Sequence, residues 1–276
     1  MSVADVSAAR GAGAGRSLAT DLWRSLKAPE FWTISSWLDI VVRYRQSRLG
    51  VFWMLVPSFA YIWGIGAFFA TMRSDPLSHF VAHVALGYAI FRLVHLVLND
   101  ATSAFAAASS FILDGRVRLT DFVLRVLAKA LFYFAMSLPA VALALFVAPE
   151  LHAGGFALAL LSFPLVLANA LWIAVVFALV GARLPDLTQL VSTVFMFAFL
   201  LTPIIWDASA MPPDSLRGMF VRFNPLFHMI ELVRAPILGH AVEPLTLWVM
   251  AAMTVAGWGL AALAYRRYAR FVPLWI

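Results

Sequence analysis

Val51-Phe52-Trp53-Met54-Leu55-Val56-Pro57-Ser58-Phe59-Ala60-Tyr61-Ile62-Trp63-Gly64-Ile65-Gly66-Ala67-Phe68-Phe69-Ala70-Thr71-Met72 contains no charged side chain and directly follows the basic residues Arg43, Arg45 and Arg48. Roughly 20 apolar residues suffice for a helix to cross a bilayer's hydrocarbon core, so this stretch reads as a first membrane span. The whole chain agrees: of 276 residues, 63% are hydrophobic and 12% charged, against about 25% charged in an average soluble domain. A mean hydropathy of +0.89, with 23 Phe and 10 Trp, leaves more apolar surface than one water-soluble core could enclose. An ordinary soluble enzyme is excluded and an all-α polytopic membrane protein follows. Without cysteine, disulfides, iron–sulfur clusters and cysteine-ligated zinc are excluded as well.

Five further windows outward from the first span are long and apolar enough to cross: about 80–98, 130–148, 156–180, 187–206 and 245–264. Of the lysines and arginines outside them, fifteen fall on the side of both termini. Four, Arg73, Arg217, Arg222 and Arg234, fall on the other. Cytoplasmic loops retain positive charge, so both termini are expected in the cytoplasm. Nothing before Val51 has the apolar run of a cleavable signal. Residues 1–29, which open rich in Ala, Gly and Ser, are expected to be disordered. Residues 51–276 are expected to form a single transmembrane domain.

Three segments are neither spans nor simple loops. Over Glu30 to Arg48, Phe31, Ile34, Leu38 and Val41 recur at helical spacing. This predicts an amphipathic helix in the membrane interface, with Arg43, Arg45 and Arg48 available to lipid phosphates. Between spans two and three lie Asp114, Arg116, Arg118, Asp121 and Arg125. Arg118, Asp121, Arg125 and Lys129 share one face of a short helix, with Asp121 spaced to pair with Arg125. That stripe is either a solvated face or a docking surface for a force-supplying partner. After span five, Asn224-Pro225 has the chemistry of a helix start, and the spacing predicts a helix to about Val233, ended by Pro236. It reads as either a surface cap or a re-entrant element.

Catalytic signatures are missing. The two lysines, Lys27 and Lys129, follow no glycine-rich run, so no P-loop exists. There is no His-Glu-x-x-His, no Gly-x-Ser-x-Gly and no pair of metal ligands at suitable spacing within a span. Neither a metal nor a nucleic-acid partner is expected. Arg92 is the clear charge inside a span, and reads as a structural ion-pair partner, a snorkelling side chain or a contact for an anionic substrate. Aromatic residues recur as Phe52, Phe59 and Trp63 in span one and as Phe195, Phe199 and Trp206 in span five. Such stripes serve either as packing and interfacial surfaces or as a lining on which sugar rings slide by apolar stacking.

The run Arg43-Tyr44-Arg45-Gln46-Ser47-Arg48-Leu49-Gly50-Val51-Phe52-Trp53, followed by Pro57, resembles the start of the first span in membrane (permease) subunits of bacterial ABC exporters of O-antigen and capsular polysaccharide. Arg183-Leu184-Pro185-Asp186, Thr202-Pro203-Ile204 and Asn224-Pro225-Leu226-Phe227-His228-Met229-Ile230-Glu231-Leu232-Val233-Arg234 resemble further motifs of that family in the same order. Together they cover the chain from about residue 30 onward. Arg92 stands where the family has an apolar or aromatic residue.

The resemblance implies a homodimer with two copies of a separate nucleotide-binding ATPase subunit, moving a lipid-linked glycan across the bacterial inner membrane. ATP and magnesium would be held by the partner, with no cofactor in this chain. It further implies that Glu30 to Arg48 is an interface helix in contact with membrane lipids, that Asp114 to Arg125 is the coupling helix, and that Asp207 to Arg234, with Asn224, Pro225, Glu231 and Arg234, forms short re-entrant periplasmic gate helices between spans five and six. A teichoic acid or small-molecule exporter of the same architecture, a secondary transporter and a polyprenyl-lipid membrane enzyme are the alternatives.

Overall fold

The computed structural model describes residues 17–73, 77–115, 117–148, 151–208, 211–212 and 214–276. Among them the secondary structure is entirely helical: α1 Leu18–Lys27, α2 Glu30–Tyr44, α3 Gly50–Met72, α4 Leu77–Ser103, α5 Ser109–Leu113, α6 Leu119–Phe146, α7 Ala153–Arg183, α8 Leu187–Leu201, α9 Leu216–Phe223, α10 Pro225–Ile237, α11 Pro244–Tyr268 and α12 Val272–Trp275. Five stretches are long and apolar enough to cross a membrane: α3, the Phe80–Ser103 part of α4, α6, α7, and α11 with its continuation to Trp275.

The core is built around α4, which is the most buried of these helices and packs along α6 on one side and α7 on the other. Between apolar helices in lipid, small side chains that let backbones approach supply much of the association energy. On α7, Ala170, Ala174, Ala178 and Ala182 form an unbroken i, i+4 stripe, all buried. Gly181 beside it lies so close to α4 that a Cβ there would stand 1.9 Å from the Thr102 carbonyl oxygen. Polar side chains join the same helices: a Thr102–Thr188 hydroxyl pair (2.8 Å) and Ser192 donating to Asn99 Oδ1 (2.7 Å) tie α4 to α8. Asn169, 0% exposed, donates to Thr254 of α11 and accepts from Trp172.

Several boundaries differ from the sequence expectation. The stretch 1–29 was expected to be disordered, yet Leu18–Lys27 is a helix. Ser17 caps it, Ser25 meets Thr120 of α6 at 2.7 Å, and Tyr265 of α11 donates to the buried Asp21. Residues 1–16 lie outside the described residues. The interface helix was expected to run to Arg48, but α2 stops at Tyr44. Arg45 and Arg48 lie in the turn that leads into Gly50, the first residue of α3, at φ 54°. The buried residues of α2 are Ser36 and Ile40, while Ile34 and Leu38 of the predicted stripe are exposed.

The third span was expected from about 130, but α6 is continuous from Leu119. At about 1.5 Å per residue it is roughly 42 Å long, beyond the hydrocarbon thickness. Its charged residues do not interrupt it because neighbouring helices neutralise them. Arg125 grips Asp39 of α2 with two bonds of 2.8 and 2.6 Å, and Lys129 meets Asp100 of α4 at 2.6 Å. Asp121 does not pair with Arg125 as its spacing suggested. It accepts from the Arg118 backbone N–H at 3.0 Å and closes the first turn of α6.

Span five is also shorter than expected. α8 ends at Leu201 rather than near 206, about 22 Å at the usual rise, because Pro203 cannot continue the ladder. The described structure therefore contains five helices of spanning length, with α8 the shorter apolar one. Helix α10 outlasts its expected end near Val233 and carries Pro236 inside its last turn. The carbonyl that Pro236 cannot reach, that of Leu232, accepts instead from the Ser162 hydroxyl of α7 at 3.0 Å.

Gly181→Ala is expected to push α7 from α4 and to destabilise the detergent-solubilised protein by about 1–3 kcal/mol, the range for overpacking a tight interface. Gly259→Ala, where nothing lies within 4 Å of the added carbon, is expected to leave the melting temperature unchanged or raise it.

Candidate functional site

A cavity of about 410 Å³ opens between α3, α4 and α8, within the size range of small-ligand sites. Helix α4 supplies Tyr88, Phe91, Arg92 and His95, which fall at i, i+3, i+4 and i+7 and so share one face. Helix α8 supplies Ser192, Phe195, Met196 and Phe199, and α3 supplies Tyr61. The rings form a continuous wall. Tyr61 stacks on Tyr88 at 4.8 Å and His95 on Phe195 at 4.8 Å, while Phe91 lies 5.6 Å from Phe195 and 5.5 Å from Phe199. Tyr61 reaches this wall from a widened, π-type turn over Ala60–Ile65, a distortion common at functional positions.

Arg92 is the polar corner of the cavity. Its Nη1 donates to the buried Ser58 hydroxyl at 2.7 Å, and its guanidinium lies 5.9 Å from the ring centres of both Tyr88 and Tyr133. A charged arginine at the centre of a membrane helix costs about 2.5–3.5 kcal/mol on insertion scales. Two cation–π contacts, each about 0.5–2 kcal/mol, and one hydrogen bond offset part of that without a carboxylate. Toward α2, Tyr133 also receives Arg43 Nη1 at 3.4 Å and meets the Tyr44 hydroxyl at 3.3 Å. Burial and this contact with Tyr133 push the Tyr44 hydroxyl up to about 12, so it stays protonated.

The aromatic residues singled out in the sequence separate. Phe195 and Phe199 meet in the cavity. Phe52, 64% exposed, and Phe59 lie on the outer surface of α3, and Trp63 packs on the main core. Trp206 packs with Ala208, Val221 and Phe227 and donates its indole N–H to the Leu200 carbonyl at 3.1 Å. Ser58, Tyr61, Tyr88, Phe91 and His95 join the site without a sequence motif of their own, although the spacing of the last three around Arg92 marks one helix face.

The residues between α5 and α6 turn sharply at Gly115, φ 72°, leaving Phe111, Leu113 and Asp114 exposed at the tip. Arg118 and Asp121 cap α6, Arg125 faces α2, and Arg116 lies outside the described residues.

On the other face of the bundle, Asn224 caps α10 by accepting from the Leu226 N–H at 3.0 Å, with Pro225 in the first turn, where the sequence places the start. Its amide donates to Thr202 Oγ1 at 2.8 Å. Arg234, only 2% exposed, donates to the Pro203 carbonyl at 2.6 Å and to His83 Nε2 at 2.8 Å, and pairs with Glu231 through Nε at 3.1 Å and through Nη2. Arg222 of α9 donates through Nε to Glu243, just before α11, at 2.9 Å. A second cavity, about 260 Å³, is lined here by His83, Asp207, Glu231, Arg234, His240 and Glu243 among others. Removing one member of a buried ion pair typically costs about 3–5 kcal/mol. Glu231→Ala is therefore expected to lower the melting temperature sharply, whereas Asp214→Ala on the nearby loop should leave it within a degree or two.

Comparison with known proteins places these features in a family. No curated protein matches the chain. Residues 30–238, from the first residue of α2 to just past α10, match the family described as ABC-2 type transporter. The chain belongs to the ABC-2 type transporter family and is an integral membrane permease subunit of an ABC transporter, whose ATP is hydrolysed on a separate nucleotide-binding partner.

Proposed function

We propose that this permease exports a lipid-linked polysaccharide of the O-antigen or capsule type across the bacterial inner membrane, as a homodimer with two copies of its ATPase partner. The observation that carries this reading is the aromatic cavity. A moving polymer needs a surface that binds sugar rings without fixed hydrogen-bond geometry, and stacked aromatic faces with few directed polar groups provide it. In this reading both termini are cytoplasmic, and α8 together with the buried Thr202–Ile204 turn completes a sixth crossing. Phe52 and Phe59, exposed on a single chain, join the pathway when the second copy closes against α3.

The tip at Phe111, Leu113 and Asp114 is the contact for the ATPase. Exposed apolar side chains beside a charge are suited to a partner surface rather than to water or lipid. Force applied there passes to α6 through the Arg118–Asp121 cap, and to α2 through Arg125 and Asp39. Helix α2 lies in the cytoplasmic interface with Ile34 and Leu38 toward lipid, and Arg43, Arg45 and Arg48 near phosphates. At the opposite face α9 and α10 are the re-entrant gate. Helix α9 turns Leu216, Met219, Phe220 and the 90% exposed Phe223 outward, a surface fit for hydrocarbon or a second copy, while Asn224 and Arg234 fix the gate to the end of α8.

Phe199→Ala is expected to lower surface polysaccharide several-fold and to raise the lipid-linked form retained inside, with the ATPase still co-purifying. Leu113→Asp is expected to give the opposite separation, loss of the ATPase on purification with the chain itself still folded. Unchanged surface polysaccharide in Phe199→Ala contradicts the pathway. Undiminished co-purification with Leu113→Asp contradicts the coupling contact.

A further inference from the structure

Among the described residues, five cations have carboxylate partners: Arg118 with Asp121, Arg125 with Asp39, Lys129 with Asp100, Arg222 with Glu243 and Arg234 with Glu231. Arg92 is more deeply placed along the apolar sequence than most of them and has no carboxylate within ion-pairing distance among the described residues. It is held instead by an uncharged hydroxyl, Ser58, and by the faces of Tyr88 and Tyr133. These contacts orient the guanidinium and leave its charge uncompensated. Arg92 also lines the aromatic cavity. A buried hydrogen-bonded network that only braced α4 against α3 would be served by a neutral donor. A full positive charge kept in an apolar wall has its strongest use in meeting an anion.

We infer that Arg92 makes this cavity an anion-selective subsite: it takes an oxyanion, a carboxylate or phosphate, carried next to a ring or apolar chain that packs against Tyr61, Tyr88, Phe91 and Phe199. This deepens the export reading and rests on it for its biological meaning, because it makes the permitted cargo acidic. Two sources present that chemistry, an acidic sugar of the glycan and the phosphate of its lipid carrier. The guanidinium's planar fork matches either group, with a donor on Nη1 held by Ser58.

The absence of cysteine gives a local probe. Met196→Cys, on the cavity wall, carries a fluorophore in the full chain assembled with its ATPase partner in phosphatidylcholine nanodiscs. Two matched pairs are titrated: tetragalacturonic acid against its methyl ester, and farnesyl diphosphate against farnesol. The acidic member of at least one pair is expected to bind about tenfold or more tighter than its neutral counterpart, as a charge-assisted hydrogen bond provides. The sugar pair responding identifies an acidic glycan, and the diphosphate pair the carrier. Arg92→Lys is expected to keep the preference and Arg92→Gln to abolish it.

Equal affinities within both pairs on the labelled chain with Arg92 intact, or no binding of either acidic probe, overturn the subsite, and neither result depends on the folding of an Arg92 variant. A charge preference that survives Arg92→Gln overturns the assignment to this residue. If the acidic probe binds while Phe199→Ala leaves surface polysaccharide unchanged, the export reading fails and the anion site stands. If Phe199→Ala blocks export and no charge preference appears, the reverse holds.

Discussion

A helix interrupted among apolar surroundings must have its freed backbone groups satisfied by protein, because hydrocarbon offers them no partner. At the end of α8 that requirement falls on Arg234. The chain leaves helical geometry at Thr202, and the Pro203 carbonyl that follows is buried and accepts from the Arg234 guanidinium. The same side chain reaches His83 on α4 and Glu231 on its own helix. Asn224, the cap of α10, secures Thr202. One arginine and one asparagine thus hold together the end of α8, the start of α10 and the middle of the bundle. Gly87 on α4 leaves room for this, since a Cβ there would stand 3.2 Å from Arg234 Nη1.

With that end fixed, the rest of the architecture follows from helix spacing. The close approach of Gly181 to Thr102 brings α7 against α4, while α4 turns another face, Tyr88, Phe91, Arg92 and His95, toward α3 and α8. Helices α3 and α11 are the least buried of the spanning helices and carry their apolar side chains outward. The bundle therefore has a rigid interior strip and apolar flanks. The aromatic cavity lies at the boundary between them, where a small displacement of α3 or α8 changes its width.

Much of this was legible in the sequence because hydrophobic length and charge are local properties. The uncharged run from Val51, the basic residues before it and the Asn224-Pro225 start each mark an element directly. What was not legible depended on partners distant in sequence. Arg125 and Lys129 look like the end of a span until Asp39 and Asp100 neutralise them, and Asp121 looks like a partner for Arg125 until its backbone bond to Arg118 is seen. Leu18–Lys27 follows an Ala- and Gly-rich stretch, and the surfaces it packs on come from α6 and α11. In α3, even spacing of Phe52, Phe59 and Trp63 presumes a regular helix, whereas that helix begins as 3₁₀ turns and widens to π geometry at Ala60. Helical spacing then no longer tells which residues share a face, and Tyr61 rather than Phe59 reaches the cavity.

The central claim is that this ABC-2 permease conducts a polysaccharide through an aromatic cavity between α3, α4 and α8. It is tested most directly by deleting the gene and comparing polysaccharide at the cell surface with lipid-linked polysaccharide retained inside. The account predicts loss from the surface with accumulation inside, restored by the intact gene. Unchanged polysaccharide in both places contradicts it and assigns the transporter a different cargo.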